Sequence, residues 1–230
     1  MRICGLQKLS LLDFPGYAAA TVFTGGCNLR CPFCHNAALV TAETIPEIMS
    51  ESELFGFLKK RHGLLDGVCI TGGEPLMMPD TLEFIHEIKA LGFYVKLDTN
   101  GCFPDRLAAL LRDGVLDYIA MDIKNSPEKY AETVGIKGFD TAPVLKSTRL
   151  IMGSDVPYEF RTTLVKEFHT PQDIEKTGRL ITGANQYFLQ EFTDSGGLIG
   201  ENLHRVDENG AAEMLTAARK FVKNALLRGQ

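Results

Sequence analysis

The chain has no apolar stretch approaching the roughly 20 residues that a membrane helix needs, which argues against a membrane-spanning protein. It has no block of basic residues either. Acidic and basic side chains interleave and the net charge is −5, so nothing offers nucleic acid an electrostatic footprint. The opening residues, Met1-Arg2-Ile3-Cys4-Gly5-Leu6-Gln7-Lys8, carry no signal-peptide pattern, and a cytoplasmic protein is expected. In that compartment the six cysteines are not expected to pair as disulfides. No internal repeat, low-complexity tract or linker interrupts the chain, so residues 1–230 are read as one domain. The apolar share of 45% and charged share of 23% are ordinary for a folded domain of this size.

Short β-branched runs alternate with amphipathic helical patterns, which is the signature of βα units and a parallel sheet. The strand candidates are Ala20–Thr24, Gly67–Thr71, Tyr94–Thr99, Tyr118–Ile123, Tyr158–Leu164 and Gln186–Glu191. Helical patterns cover Ser50–His62, Pro79–Leu91, Pro104–Asp113, Thr141–Met152 and Pro171–Thr182, and a last helix is expected over about 207–227. Ser50 stands three residues before Glu53, a capping-box spacing, and Pro79, Pro104 and Pro171 suit first helical turns. Residues 1–18 read as an extension ahead of the first strand. The expected fold is α/β: a partial, six-stranded, three-quarter version of the (β/α)8 barrel. Right-handed crossovers then bring every strand's C-terminal end to one rim, where barrel active sites assemble. Polar residues gather at five of those ends: the loop after Thr24, Thr71-Gly72-Gly73-Glu74, Asp98-Thr99-Asn100-Gly101, Asp122-Ile123-Lys124 and Arg161-Thr162-Thr163.

The loop after the first strand holds Cys27, Cys31 and Cys34 in a Cys-x3-Cys-x2-Cys spacing. Three thiolates fall one short of the four ligands a structural zinc site takes. On a 4Fe–4S cluster they leave one iron open to a further ligand. Zinc completed by His35 or a distant cysteine, and core thiols grouped by chance, are the alternatives; adjacent residues such as Cys34 and His35 rarely reach one metal together. Cys69, inside Val68-Cys69-Ile70, reads as a core thiol, while Cys4 and Cys102 form no motif. His62, His86 and His204 read as surface residues, and His35-Asn36 as shaping the cysteine loop.

With aromatic Phe33 ahead of Cys34, and with Gly72-Gly73-Glu74-Pro75 after the next strand, the sequence resembles the radical S-adenosylmethionine (SAM) superfamily. The resemblance implies a 4Fe–4S cluster on Cys27, Cys31 and Cys34. SAM would sit on the open iron and be cleaved by one electron to methionine and a 5′-deoxyadenosyl radical. The paired glycines would let backbone approach the ligand without a Cβ in the way. Glu74 would accept from the SAM ammonium, or alternatively start a helix.

A narrower likeness covers nearly the whole chain. Ser10-Leu11-Leu12-Asp13-Phe14-Pro15-Gly16, Cys34-His35-Asn36, Asp98-Thr99-Asn100-Gly101 and Asp122-Ile123-Lys124 resemble the glycyl-radical-enzyme activases, most of all the longer activating proteins of anaerobic ribonucleoside-triphosphate reductase. This likeness implies a glycyl radical enzyme as partner and a monovalent cation on Asp98 and Asp122 beside the SAM carboxylate. It makes Lys124 a SAM or substrate contact, and Arg161 an arginine reaching that carboxylate. Gln190 stands near where the related pyruvate formate-lyase activases have a histidine. Solvated strand-end acids, a surface lysine and an Arg161–Glu159 pair are the structural alternatives for these positions. The interval between Cys34 and Gly72 already holds a helix and a strand, leaving no room for a second-cluster insert. An external flavodoxin- or ferredoxin-type electron donor is therefore expected. A small-molecule radical SAM enzyme, such as 7-carboxy-7-deazaguanine synthase, is the competing activity, and a non-enzymatic metal-binding module the remote one.

Overall fold

The computed structural model describes residues 1–41, 47–194 and 196–229. In chain order the elements are β1 (Ile3–Ser10), β2 (Ala19–Thr24), α1 (Ala38–Thr41), α2 (Glu51–Lys59), β3 (Gly67–Gly72) and a single 3₁₀ turn at Pro75–Met77. Next come α3 (Thr81–Ala90), β4 (Tyr94–Thr99), α4 (Pro104–Asp113), β5 (Tyr118–Asp122), α5 (Pro127–Thr133) and α6 (Ala142–Met152). The chain closes with β6 (Tyr158–Leu164), α7 (Pro171–Leu180), β7 (Tyr187–Glu191), α8 (Glu208–Arg219) and β8 (Ala225–Arg228). Among the described residues, all eight strands form one sheet in sequence order, and β1 and β8 do not pair with each other, so the barrel stays open. From β2 to β8 every neighbour is parallel, which puts the C-terminal ends of these strands on one rim as expected.

The sheet is two strands wider than six. Residues 1–18 are not a loose extension: β1 lies antiparallel on β2, with Ile3 opposite Thr24 and Ser10 opposite Ala19. No β-branched run announces β1, and its exposed Gln7-Lys8 segment hides it further. At the other end α8 stops at Arg219, well short of Leu227. The last residues pair with β7, because that edge offers unpaired backbone groups and only a strand can satisfy them. Asn224 ties the break by donating to the Asn185 carbonyl at 3.0 Å. Tertiary pairing has here overridden a helical pattern.

Local signals hold elsewhere. Ser50 and Glu53 form a reciprocal capping box on α2, and Thr170 and Asp173 form another on α7. Pro104 and Pro171 open their helices. Pro79 does not, since α3 begins at Thr81, whose hydroxyl donates to the Pro75 carbonyl at 2.6 Å.

Strand side chains alternate between two faces. Val22, Ile70, Leu97 and Ile119 stand side by side in register and share one apolar cluster with Leu54, Phe84, Ile88 and Leu107 of the surrounding helices. The alternate residues, including Lys96, Asp98, Asp122, Glu159, Arg161 and Gln190, fall on the concave face. Their placement turns that face into a polar floor under the rim.

Candidate functional site

The cysteine loop leaves the end of β2 and is pinned on every side. Gly26 N–H donates to the Leu39 carbonyl at 2.8 Å, Arg30 N–H to Val134 at 2.9 Å, and Gly200 N–H to Pro32 at 2.8 Å. The Arg30 guanidinium folds back onto the carbonyls of Cys27 and Leu29. Phe33 is buried against Phe168, with ring centroids 5.8 Å apart. Asn36 donates from Nδ2 to the Gly72 carbonyl at 2.8 Å, so the Cys-His-Asn end of the loop fastens it to β3.

Gly72 and Gly73 answer to this loop. A Cβ on Gly73 would sit 1.9 Å from the Gly26 carbonyl oxygen, and one on Gly72 would sit 2.4 Å from the Thr24 amide nitrogen. Gly72 also holds φ at +114°, open to few other residues. The two glycines are therefore required by backbone packing against the cysteine loop, a stricter reason than access for a ligand. Gly73 N–H donates to Thr24 and Glu74 N–H to Gly26, locking the two loops together.

Glu74 is wholly buried, and its carboxylate accepts from Leu76 N–H at 3.0 Å, the Thr99 hydroxyl at 2.8 Å and Asn100 N–H at 2.7 Å. Burial pushes its carboxyl up to about 7 against the pull of those donors. The helix-start reading thus describes its contacts: it caps the 3₁₀ turn and ties the end of β3 to the end of β4.

Between these loops and the strand ends lies a cavity of about 250 Å³. Cys27, Cys31 and Cys34 form one wall, Gly72 and Gly73 another, and Asp98, Asp122, Lys124, Arg161 and Gln190 the floor. Nine of the ten site positions expected from the sequence thus line one cavity, and Glu74 stands behind it. Burial pushes the Cys27 and Cys34 thiols up and Cys31 up to about 12, so loading a metal must displace their protons. Asn100 donates from Nδ2 to Asn28 at 2.9 Å and lies 3.7 Å from Cys27 Sγ. Burial pushes the Cys102 thiol up to about 12, with smaller pushes from Glu74, Cys27 and Cys31.

The floor is an ion-pair network. Arg161 donates from Nε to Asp122 at 2.7 Å and from Nη1 to Asp98 at 3.2 Å, bridging the two acids. Lys124 Nζ donates to the other oxygen of Asp122 at 2.8 Å, and Lys96 Nζ to Asp98. Burial opposes ionisation of both acids, but the combined pull of Arg161 with Lys124 at Asp122, and of Arg161 with Lys96 at Asp98, outweighs it. Both carboxyls are held below the usual range. Glu159 does not pair with Arg161; Arg228 of β8 takes it in a two-pronged contact at 2.9 and 3.0 Å. Behind Lys124, buried His169 accepts Val165 N–H on Nδ1 and donates from Nε2 to the Lys124 carbonyl at 2.8 Å. Reading the sequence missed Lys96, His169 and Asn100. Lys96 did carry a signal, a lysine two residues before Asp98 in an otherwise apolar strand.

The profile of the radical SAM superfamily matches residues 21–181. The chain belongs to that superfamily. Among relatives of this radical SAM enzyme, a Methanocaldococcus jannaschii protein provisionally assigned as a glycyl-radical enzyme activating enzyme is 30% identical, over 98% of this chain and 95% of its own. The pyruvate formate-lyase-activating enzyme of Listeria monocytogenes is 30% identical over 78% of this chain and 75% of its own. In fold, the chain is similar to a domain of pyruvate-formate lyase-activating enzyme from Bacteroides vulgatus, with a TM-score of 0.58 at 16% identity over 71% of this chain and 99% of that one. It is also similar to Streptococcus suis SuiB bound to S-adenosylmethionine, with a TM-score of 0.68 at 12% identity over 89% of this chain and 48% of that one.

The donors in the cavity fit a cluster and SAM. Soft thiols suit iron–sulfur ligation, the glycine cradle is tight, and basic side chains on the floor suit a carboxylate. Among the described residues, no three His, Cys, Asp or Glu groups meet where they could hold a single metal ion. No helix among them is long and apolar enough to cross a membrane.

Proposed function

We propose that the protein is an activase: it generates a glycyl radical on a partner enzyme, with anaerobic ribonucleoside-triphosphate reductase as that partner. The observation that carries the reading is the single cavity onto which three loop thiols and the Asp98–Asp122–Arg161–Lys124 floor both face, at the rim of a sheet whose edges stay apart. Cys27, Cys31 and Cys34 would hold a cluster with SAM beside it, and the bound groups would supply one-electron chemistry and hydrogen-atom abstraction.

The chain's own residues do the rest. Gly72 and Gly73 hold the cysteine loop down, and Glu74 fixes the strand ends behind it. Arg161 and Lys124 offer positive charge to a carboxylate, Arg161 with a planar fork. The open side of the sheet gives a glycine-bearing segment of a larger protein a way in. Electrons come from a flavodoxin- or ferredoxin-type donor docking near the cysteine loop, and the whole of 1–230 works as one cytoplasmic domain. The basic groups already on Asp98 and Asp122 favour a site that works without the expected alkali cation.

The test is electron paramagnetic resonance on the anaerobically reconstituted protein mixed with SAM, reductant and the anaerobic reductase. A glycine-centred doublet on the reductase is the expected result. Turnover of a small molecule with no radical on any protein would replace this reading with the lyase alternative.

A further inference from the structure

Lys96 is a buried charge of the barrel interior, beneath the cavity floor. It sits in the middle of β4 between Val95 and Leu97, both fully buried, and is itself only 3% exposed. A buried ammonium costs several kcal/mol unless a partner compensates it, and its partners are few. Nζ donates to Asp98 Oδ1 and lies 3.7 Å from Cys69 Sγ. Burial works against the charge, but Asp98 and Cys69 together outweigh it and hold the lysine protonated.

The charges around it do not cancel. Asp98 and Asp122 are the acids of the network, while Lys96, Lys124 and Arg161 are its bases. Lys96 is absent from the cavity wall and lies beneath it; the other four line it. Those four charges cancel in pairs, and Lys96 adds a positive charge beneath them. All four carboxylate oxygens are also occupied. Asp98 Oδ1 takes Lys96, Asp98 Oδ2 takes Arg161 and the Thr71 hydroxyl at 3.3 Å, and Asp122 takes Arg161 and Lys124 on its two oxygens. A hard cation needs several such oxygens free.

We propose that Lys96 is a positioning residue of the SAM site: a built-in cation under Asp98 that makes the floor electropositive toward the SAM carboxylate and lets the site bind SAM without an alkali metal. The proposal rests on the reading that this cavity binds SAM.

The experiment is equilibrium binding of SAM to the cluster-loaded protein, in buffers whose only cation is tetramethylammonium and again with potassium or sodium added. Wild-type affinity is expected to be the same in all three buffers. Lys96→Met, which keeps the apolar stem without the charge, is expected to bind SAM roughly ten- to a hundred-fold more weakly without alkali metal, the worth of a charged hydrogen bond. Potassium or sodium should restore most of that loss, and Lys96→Arg should need no rescue. A general packing role would not create this cation dependence. Wild-type binding that requires an alkali metal would overturn the proposal, and that arm stands even if Lys96→Met does not fold. So would a Lys96→Met protein whose affinity is unchanged, or whose loss no cation restores. Reductive SAM cleavage by the wild type is the control: its absence would count against SAM as the ligand, whatever Lys96 does.

Discussion

On the convex face of the sheet, Val22, Ile70, Leu97, Ile119 and Phe160 are fully buried under helices, and none carries a polar side-chain atom. On the concave face, one residue away along the same strands, stand Lys96, Asp98, Asp122, Glu159 and Arg161, also largely withdrawn from water. One backbone thus supports two interiors. The convex one is held by area removed from water, in which neighbours substitute for one another at modest cost. The concave one is held by pairing, and each charge there is costly alone. Stability comes mainly from the first. In the function proposed above the second serves a ligand, and the two are expected to respond differently to mutation.

The largest effect is expected at the cysteine loop. Anaerobic reconstitution should give about four irons per chain, and Cys27→Ala, Cys31→Ala and Cys34→Ala should each abolish SAM cleavage. Cys69→Ala and Cys102→Ala should keep the iron. Iron assay with product analysis checks this; a motif mutant that cleaves SAM normally would break the assignment.

Next comes the bridge of the concave face. Arg161→Met removes the bridge but leaves Asp98 with Lys96 and Asp122 with Lys124, so a urea titration should show a loss of about 1.5–3 kcal/mol, the worth of the charged hydrogen bonds removed. A Leu97→Met exchange on the convex face should cost less than about 1.5 kcal/mol. Similar losses at the two positions would erase the distinction between the faces. The same network sets acid sensitivity. Asp98 and Asp122 are depressed in the folded protein, so their contribution is present above the ordinary carboxylate range and lost as pH falls through and below it. Stability measured over a pH series should fall less steeply on the acid side in Asp122→Asn than in the wild type.

A smaller effect is expected from Gly73→Ala, whose methyl meets the Gly26 carbonyl. It should cost roughly 1–3 kcal/mol and lower iron retention, whereas Gly16→Ala, which meets nothing within 4 Å, should leave the iron in place. The smallest belongs to Glu74→Gln. One donor, Asn100 N–H, should lose its acceptor for about 1 kcal/mol, with SAM affinity within a few-fold of wild type. A loss of SAM binding at unchanged stability would return Glu74 to the ligand.

The rim was legible in the sequence because its signals are local. The cysteine spacing, Gly72-Gly73 and the acids at Asp98 and Asp122 each follow a β-branched run, and strand periodicity alone puts them together. The two outer strands were not legible. β1 lacks a β-branched run, and β8 follows a helical pattern that only the unpaired edge of β7 interrupts. Lys96 was missed for a third reason: one buried lysine reads as an irregularity until Asp98 is placed beside it. Glu74 shows the limit from the other side, since its motif suggested a ligand and its three donors are all backbone or hydroxyl groups of the protein.

The central claim is that this cavity takes hydrogen from a protein glycine, and isotope tracing tests it most directly. Anaerobic reductase labelled with deuterated glycine would be incubated with the cluster-loaded protein, reductant and unlabelled SAM. The 5′-deoxyadenosine formed would then be analysed by mass spectrometry. Transfer of one deuterium is expected, in step with the glycyl radical on the reductase. Unlabelled 5′-deoxyadenosine together with a radical-free reductase would contradict it.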